Sequence, residues 1–197
     1  MKTLLVLIFL GFIIHAGFSQ SIEHSLSLDE RGKYIYYEVV DSIQVPGDTL
    51  IKRAKAFFNS NFSAHVSQEK SAGEVSFQTQ GKFQIKKGIL VLSHPQGEIN
   101  YQFISEFKDS KYRFWLTDFI FRPYKRDRYG NFVPDGSLYI QLETYPGKLN
   151  EEAWKNNITA AGQQAYLLAE NFKKFLSKSS ASSIQNKKPS AIIGSKW

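Results

Sequence analysis

The stretch KYRFWLTDFIFRPYKRDRYG, residues 111–130, holds seven aromatic and six basic side chains in twenty positions. Interleaving of this kind marks a nucleic-acid surface, a membrane-facing edge or the middle of a β-sheet. Its first half predicts a strand over 111–122. Strict period-two alternation places Tyr112, Phe114, Leu116 and Ile120 on one face and Lys111, Arg113, Trp115, Thr117, Phe119 and Phe121 on the other. The strand is therefore apolar on both sides, and only one side can belong to a helix layer. The other presents Trp115, Phe119 and Phe121 beside Arg113. These four are the candidate binding residues, on a face that is either roofed by the 123–137 segment or the tail, or used for binding. Arg122, Lys125, Arg126 and Arg128 fall in or beside the following loop, with Asp127 and Asp135 close by, and read as solvated. A single-strand RNA platform would need stacking rings and cations across adjacent strands. The neighbouring strands offer Gln and Glu, so no nucleic-acid partner is expected.

Working upstream, EINYQFISEF (98–107) alternates Ile99, Tyr101, Phe103 and Phe107 with Asn100, Gln102 and Glu106. GEVSFQTQGKFQI (73–85) does the same with Val75, Phe77, Thr79, Phe83 and Ile85. Both are strands with one greasy face. SAHVSQEK is a shorter, weaker strand, and KYIYYEVVD (33–41) is β-branched and aromatic throughout. Between these two, Leu50, Ala54, Phe57, Phe58 and Phe62 recur at helical spacing from Thr49 to Phe62, with Asp48 as the expected N-cap. Downstream, LYIQLETY (138–145) offers a further strand. Residues 150–176 form a long helix with Trp154, Ile158, Ala161, Ala165, Leu168, Phe172 and Phe175 in one stripe and Asn150 as the expected N-cap.

The order β-α-β-β-β-β-α, with one apolar stripe per helix and one apolar face per meander strand, predicts an α+β two-layer sandwich. An antiparallel sheet of about five or six strands carries both helices on one face.

The ends read differently. Lys2 followed by an apolar run from Leu4 to Ile14, with Gly17 and Ser19 ahead of Gln20, is the pattern of a secretory signal peptide spanning 1–19. That run is shorter than the ~20 residues needed to span a bilayer, and no later segment is apolar enough, so an integral membrane protein is not expected. Residues 20–32 form a linker, 33–177 a single domain, and 178–197 a disordered tail rich in Ser and Lys. The formal charge of +7 is largely a property of the ends: from Gln20 to Leu176 twenty basic residues face eighteen acidic ones. A phosphate-tracking surface needs uncompensated cations. The absence of cysteine removes a disulfide framework and a lipid-bearing N-terminal thiol.

The helix DTLIKRAKAFFNSNF, the following EKSAGEVSFQTQGKF and the closing SKYRFWLTDF together resemble the bacterial family called domain of unknown function 4468, over roughly Lys33 to Phe121. The resemblance implies a TATA-binding-protein-like fold and export to the cell envelope. It carries no assigned activity and no functional residues.

Catalytic chemistry is thinly represented. His24, His65 and His94 are scattered without metal-ligand spacing, so no metal and no cofactor is expected. There is no nucleophile elbow, phosphate loop or cysteine nucleophile. Glu106 and Asp118 could meet across strands as a hydrolase pair, with Arg122 the alternative, structural partner of Asp118. The sequons at Asn61 and Asn157 lie within or beside predicted helices. The expected function is a non-enzymatic binding or interaction module of the envelope, exported to the periplasm or beyond, with an envelope protein as partner. The alternative is a carrier holding a small apolar ligand between the sheet and the long helix.

Overall fold

The computed structural model describes residues 25–41, 45–71, 73–87, 94–108, 111–144, 147 and 151–178. The expected signal segment, residues 20–24 of the linker, Asn150 and the tail beyond residue 178 lie outside the described residues.

The elements run β1 (Ser27–Leu28), β2 (Tyr34–Asp41), α1 (Gly47–Asn61), β3 (Ser67–Ser71), β4 (Glu74–Lys87), β5 (His94–Lys108), β6 (Lys111–Arg126), β7 (Phe132–Pro134), β8 (Ile140–Gln141) and α2 (Glu151–Ser177). Among the described residues the sheet has eight strands in the order β1-β2-β6-β5-β4-β3, with β7 and β8 also paired to β6. Every pairing is antiparallel. The count exceeds the expected five or six because of β1 and β7, which are two and three residues long, while β8 is a two-residue part of the strand expected over 138–145. A period of two cannot show itself over so few positions.

Both helices lie on one face of this sheet. From α1, Phe58 stacks on Phe103 at 5.0 Å and on Phe77 at 5.5 Å. From α2, Phe172 meets Phe103 at 5.2 Å and Phe114 at 5.3 Å. Phe57 and Phe172 join the two helices at 4.9 Å. The stripe on α2 is turned slightly from the one expected. Asn157, Ala169 and Leu176 are buried, while Ile158, Leu168 and Phe175 sit at the margin. Ala161, Ala165 and Ala169 are fully buried, and such small side chains let a helix approach a ring-filled sheet closely.

Helix α1 starts without the expected Asp48 cap. Pro46 holds the capping position at φ −58°, ψ 143°, and no side chain caps the helix. The Pro46 carbonyl accepts from the Thr49 and Leu50 amides, and the proline ring fixes φ ahead of the turn. Asp48 falls in the first turn, where a carboxylate still favours the helix dipole. On β2, the inward position 38 is a glutamate because α2 supplies its partner: Lys173 Nζ lies 2.7 Å from Glu38 Oε2, and the Tyr36 hydroxyl donates to Glu38 Oε1. Burial beside that carboxylate raises the Tyr36 phenol well above its ordinary range.

Strand β6 departs from strict alternation, and this corrects the sequence reading. Gln102 pairs with Thr117 and Asn100 with Ile120, so β6 takes three steps where β5 takes two. The bulge contains Asp118, at φ 52°. Aspartate is among the few residues that tolerate this left-handed region, where a β-branched side chain would clash. One extra residue reverses which side chains point inward. Tyr112, Phe114 and Leu116 are buried before the bulge, and Phe119 and Phe121 are buried after it, at 0% and 6% exposure. Phe119 and Phe121 are core residues, not members of an outer face. Of the four candidates, only Trp115 and Arg113 point away from the helices.

Candidate binding face

On the face opposite the helices, the register aligns Tyr37 with Trp115 and Trp115 with Ile104, one row across β2, β6 and β5. The next row is Val39, Arg113 and Glu106. Tyr37 is 49% and Val39 57% exposed, and the Tyr37 and Trp115 ring centroids are 6.3 Å apart. The Arg113 guanidinium lies 5.8 Å from the Trp115 centroid, and its Nε donates to Glu106 Oε2. That hydrogen bond holds the Arg113 pKa above its ordinary value. A further row, Asp41, Lys111 and Lys108, closes the patch with charge, and Lys111 Nζ lies 3.3 Å from Asp41. Beside these rows lies an open cavity of about 320 Å³ lined by Val39, Glu106, Lys108, Lys111, Tyr112 and Arg113. Sequence reasoning missed Tyr37 and Val39. The signal was present in YIYYEVVD, which is apolar at both phases of its alternation.

The other end of the same face is covered. The Arg122 guanidinium stacks 5.2 Å from the Tyr139 ring centroid and donates to the Gly136 carbonyl at 3.4 Å, so part of the expected roof is real. Beneath it, Glu98 is 5% exposed and receives Lys82 Nζ at 3.1 Å and the Tyr124 hydroxyl at 2.9 Å, with Arg122 3.6 Å away. Arg122 therefore pairs with Glu98 and not with Asp118. Desolvation works to raise the Glu98 pKa, but the bonds from Lys82 and Tyr124 and the nearby positive charges outweigh it, and the carboxyl ends below its usual range.

A group depressed in the folded state stabilises fully above its ordinary pKa and loses that contribution as pH falls through the lower, folded value. Glu98→Gln is accordingly expected to cost roughly 1–3 kcal/mol near neutral pH. The gap between the variant and the parent should close in acid. Denaturant titrations of both proteins from about pH 7 to about pH 3 measure this; a gap that stays constant would mean that the carboxylate charge is not what the cluster uses.

Glu106 and Asp118 are not brought together. Glu106 is committed to Arg113, and Asp118 lies five positions farther along β6, about 17 Å at ~3.4 Å per residue. The space between sheet and long helix, where the alternative reading put a small apolar ligand, holds the rings of Phe57, Phe58, Phe103, Phe114 and Phe172. His94 stacks on Phe132 at 4.9 Å. Among the described residues no group of three or more His, Asp or Glu could hold a metal, and no helix is long and apolar enough to cross a membrane.

Two helices on one face of an antiparallel sheet place the molecule among the TBP-like α+β folds. Residues 36–122 match a family described as domain of unknown function (DUF4468) with TBP-like fold. The structure is similar to a TBP-like protein from Parabacteroides distasonis ATCC 8503, with TM-score 0.53 and 12% identity over 75% of this chain and 95% of that one. A DUF4468 family protein from Bacteroides ovatus ATCC 8483 gives TM-score 0.48 and 12% identity over 80% and 93%. At such identity the likeness to the first concerns the fold alone. Comparison with curated proteins gave no match.

Proposed function

We propose that the chain is a non-catalytic binding module of the bacterial envelope, exported by its first nineteen residues, and that the open end of its outer sheet face takes a partner protein. The observation that carries this is the run of Tyr37, Val39 and Trp115 on adjacent strands, with Tyr37 and Val39 about half in water. Native sheets avoid leaving aromatic and β-branched side chains in contact on a solvated face unless something covers them. Rings flanked by an arginine and a charged row suit a protein interface, where Trp, Tyr and Arg anchor association inside a polar rim. Export is supported by the leader pattern alone.

A photoreactive residue placed at Tyr37 in the native host should crosslink to one protein. The same residue at Gln84, also exposed but on β4, should not. Crosslinking at Tyr37 should be lost when Trp115 is also changed to Ala. Equal capture from both positions, or capture indifferent to Trp115, would refute the reading. Fractionation of the same cells should find the chain outside the cytoplasm, beginning at Gln20.

A further inference from the structure

The two sides of the sheet end in strands of very different character. On β3 the exposed residues include Gln68, Glu69 and Lys70, and charge on an outer strand resists pairing with another chain. On the other side, β1 covers β2 only at Tyr34 and Ile35. From Tyr36 to Asp41 the outer edge of β2 has no strand partner among the described residues, although this stretch carries Tyr37, Val39 and Val40. A bare edge of that composition is a template for strand pairing, and native sheets cover such edges.

The register of β1 points to the cover. Ser27 lies opposite Ile35 and Leu28 opposite Tyr34. Carried upstream, one residue for one, that register would set Leu26 opposite Tyr36, Glu23 opposite Val39 and Ser21 opposite Asp41. Leu26 is buried in the core and Ser25 is exposed, so alternation between the two faces has begun before β1 opens. The sequence continues it without a break. In SIEHSLSL, residues 21–28, Ile22 and His24 are in phase with Leu26, and Ser21 and Glu23 are in phase with Ser25.

Phase and register agree. On β2, Tyr36, Glu38 and Val40 are partly buried, while Tyr37, Val39 and Asp41 are exposed. The continued register would bring Ile22 beside Val40, which packs against the core, and Glu23 beside Val39, on the solvated face. A slip of one residue would reverse both, sending the isoleucine to water and the glutamate to the core. We infer that residues 21–26 extend β1 along β2 as far as Asp41, a strap that withholds this edge from pairing with a second chain. The strap concerns the edge of β2, and the partner proposed above concerns the neighbouring face, so each reading can fail without the other.

The sequence has no cysteine, so paired substitutions read the register directly. In the chain purified from its host, Glu23→Cys with Val39→Cys should close an internal disulfide under mild oxidation. Directly opposed residues stand about 4.5–5.5 Å apart between Cα atoms, within disulfide range. Glu23→Cys with Asp41→Cys, a diagonal pair at about 7–8 Å, should trap about fivefold less or weaker still. Ser25→Cys with Tyr37→Cys repeats the opposed geometry should the first pair fold poorly. Amide exchange on the unaltered chain needs no variant: at least one amide from Ile22 to Ser25 should exchange about tenfold or more slowly than in an unfolded peptide. A disulfide-linked dimer in place of the internal bond would put a second copy on the edge. That result, equal trapping of opposed and diagonal pairs, no internal bond in either opposed pair, or exchange at the peptide rate throughout 22–25 would each overturn the inference.

Discussion

Phe119→Ala is expected to remove about 3–5 kcal/mol of stability, the usual cost of truncating a buried phenylalanine. On a domain whose total stability is of order 5–15 kcal/mol this leaves a marginal fold. The melting temperature should fall by roughly 6–20 °C. The reason is the bulge at Asp118, which turns Phe119 inward to full burial beside Tyr101, 6.2 Å between ring centroids. Under unbroken alternation Phe119 would share the solvated face with Trp115 and its loss would be mild. Trp115→Ala is the matched comparison and should cost no more than about 1–2 kcal/mol, because part of its ring is already in water. Thermal melts of the two single variants decide between the geometries. Equal, small losses would mean that β6 runs without its extra residue.

Phe172→Ala should be comparably severe, again about 3–5 kcal/mol. Phe172 is the point where the two helices and the sheet converge. Its ring lies 4.9 Å from Phe57, 5.2 Å from Phe103, 5.3 Å from Phe114, 5.9 Å from Phe58 and 6.1 Å from Tyr112. Five neighbouring rings cannot all collapse into the void left by one, so cavity cost adds to lost transfer energy. The last turns of α2 would also lose their central ring contact, leaving the buried Leu176, Phe175 against Phe57 at 5.4 Å, the Lys173–Glu38 pair and the bond from Arg53 to the Leu176 carbonyl. Chemical denaturation measures the total loss. Hydrogen exchange should find the C-terminal half of α2 opening more readily than its Trp154 end, which donates to the Leu142 carbonyl at 3.1 Å. A loss below about 1 kcal/mol would contradict the packing of this helix on the sheet.

The layer architecture was legible because it rests on local periodicity. Val75, Phe77, Phe83 and Ile85 announce one face of a strand, and Leu50, Ala54, Phe57 and Phe58 announce one side of a helix, whatever the rest of the chain does. Glu98, Lys82, Tyr124 and Arg122 come from three strands, and no spacing in the sequence foretells that they converge. The binding face was half legible. Trp115 and Arg113 were found from their own strand, whereas Tyr37 and Val39 join them only because β2, seventy-odd positions earlier, pairs with β6.

Residues 111–122 show where the division falls. Their sequence alone determined a strand, apolar on both sides, at the centre of a sheet with helices on one face, since backbone sterics and side-chain alternation act over a few neighbours. The sequence also carries the slip in phase, with Phe114 and Leu116 two apart and Leu116 and Phe119 three apart. Only the pairing with β5 decided that Asp118 takes up that slip in a left-handed turn of backbone, because a bulge is a relation between two strands. Inward or outward at Phe119 and Phe121, and with it the extent of any surface left for a partner, was settled by tertiary contact.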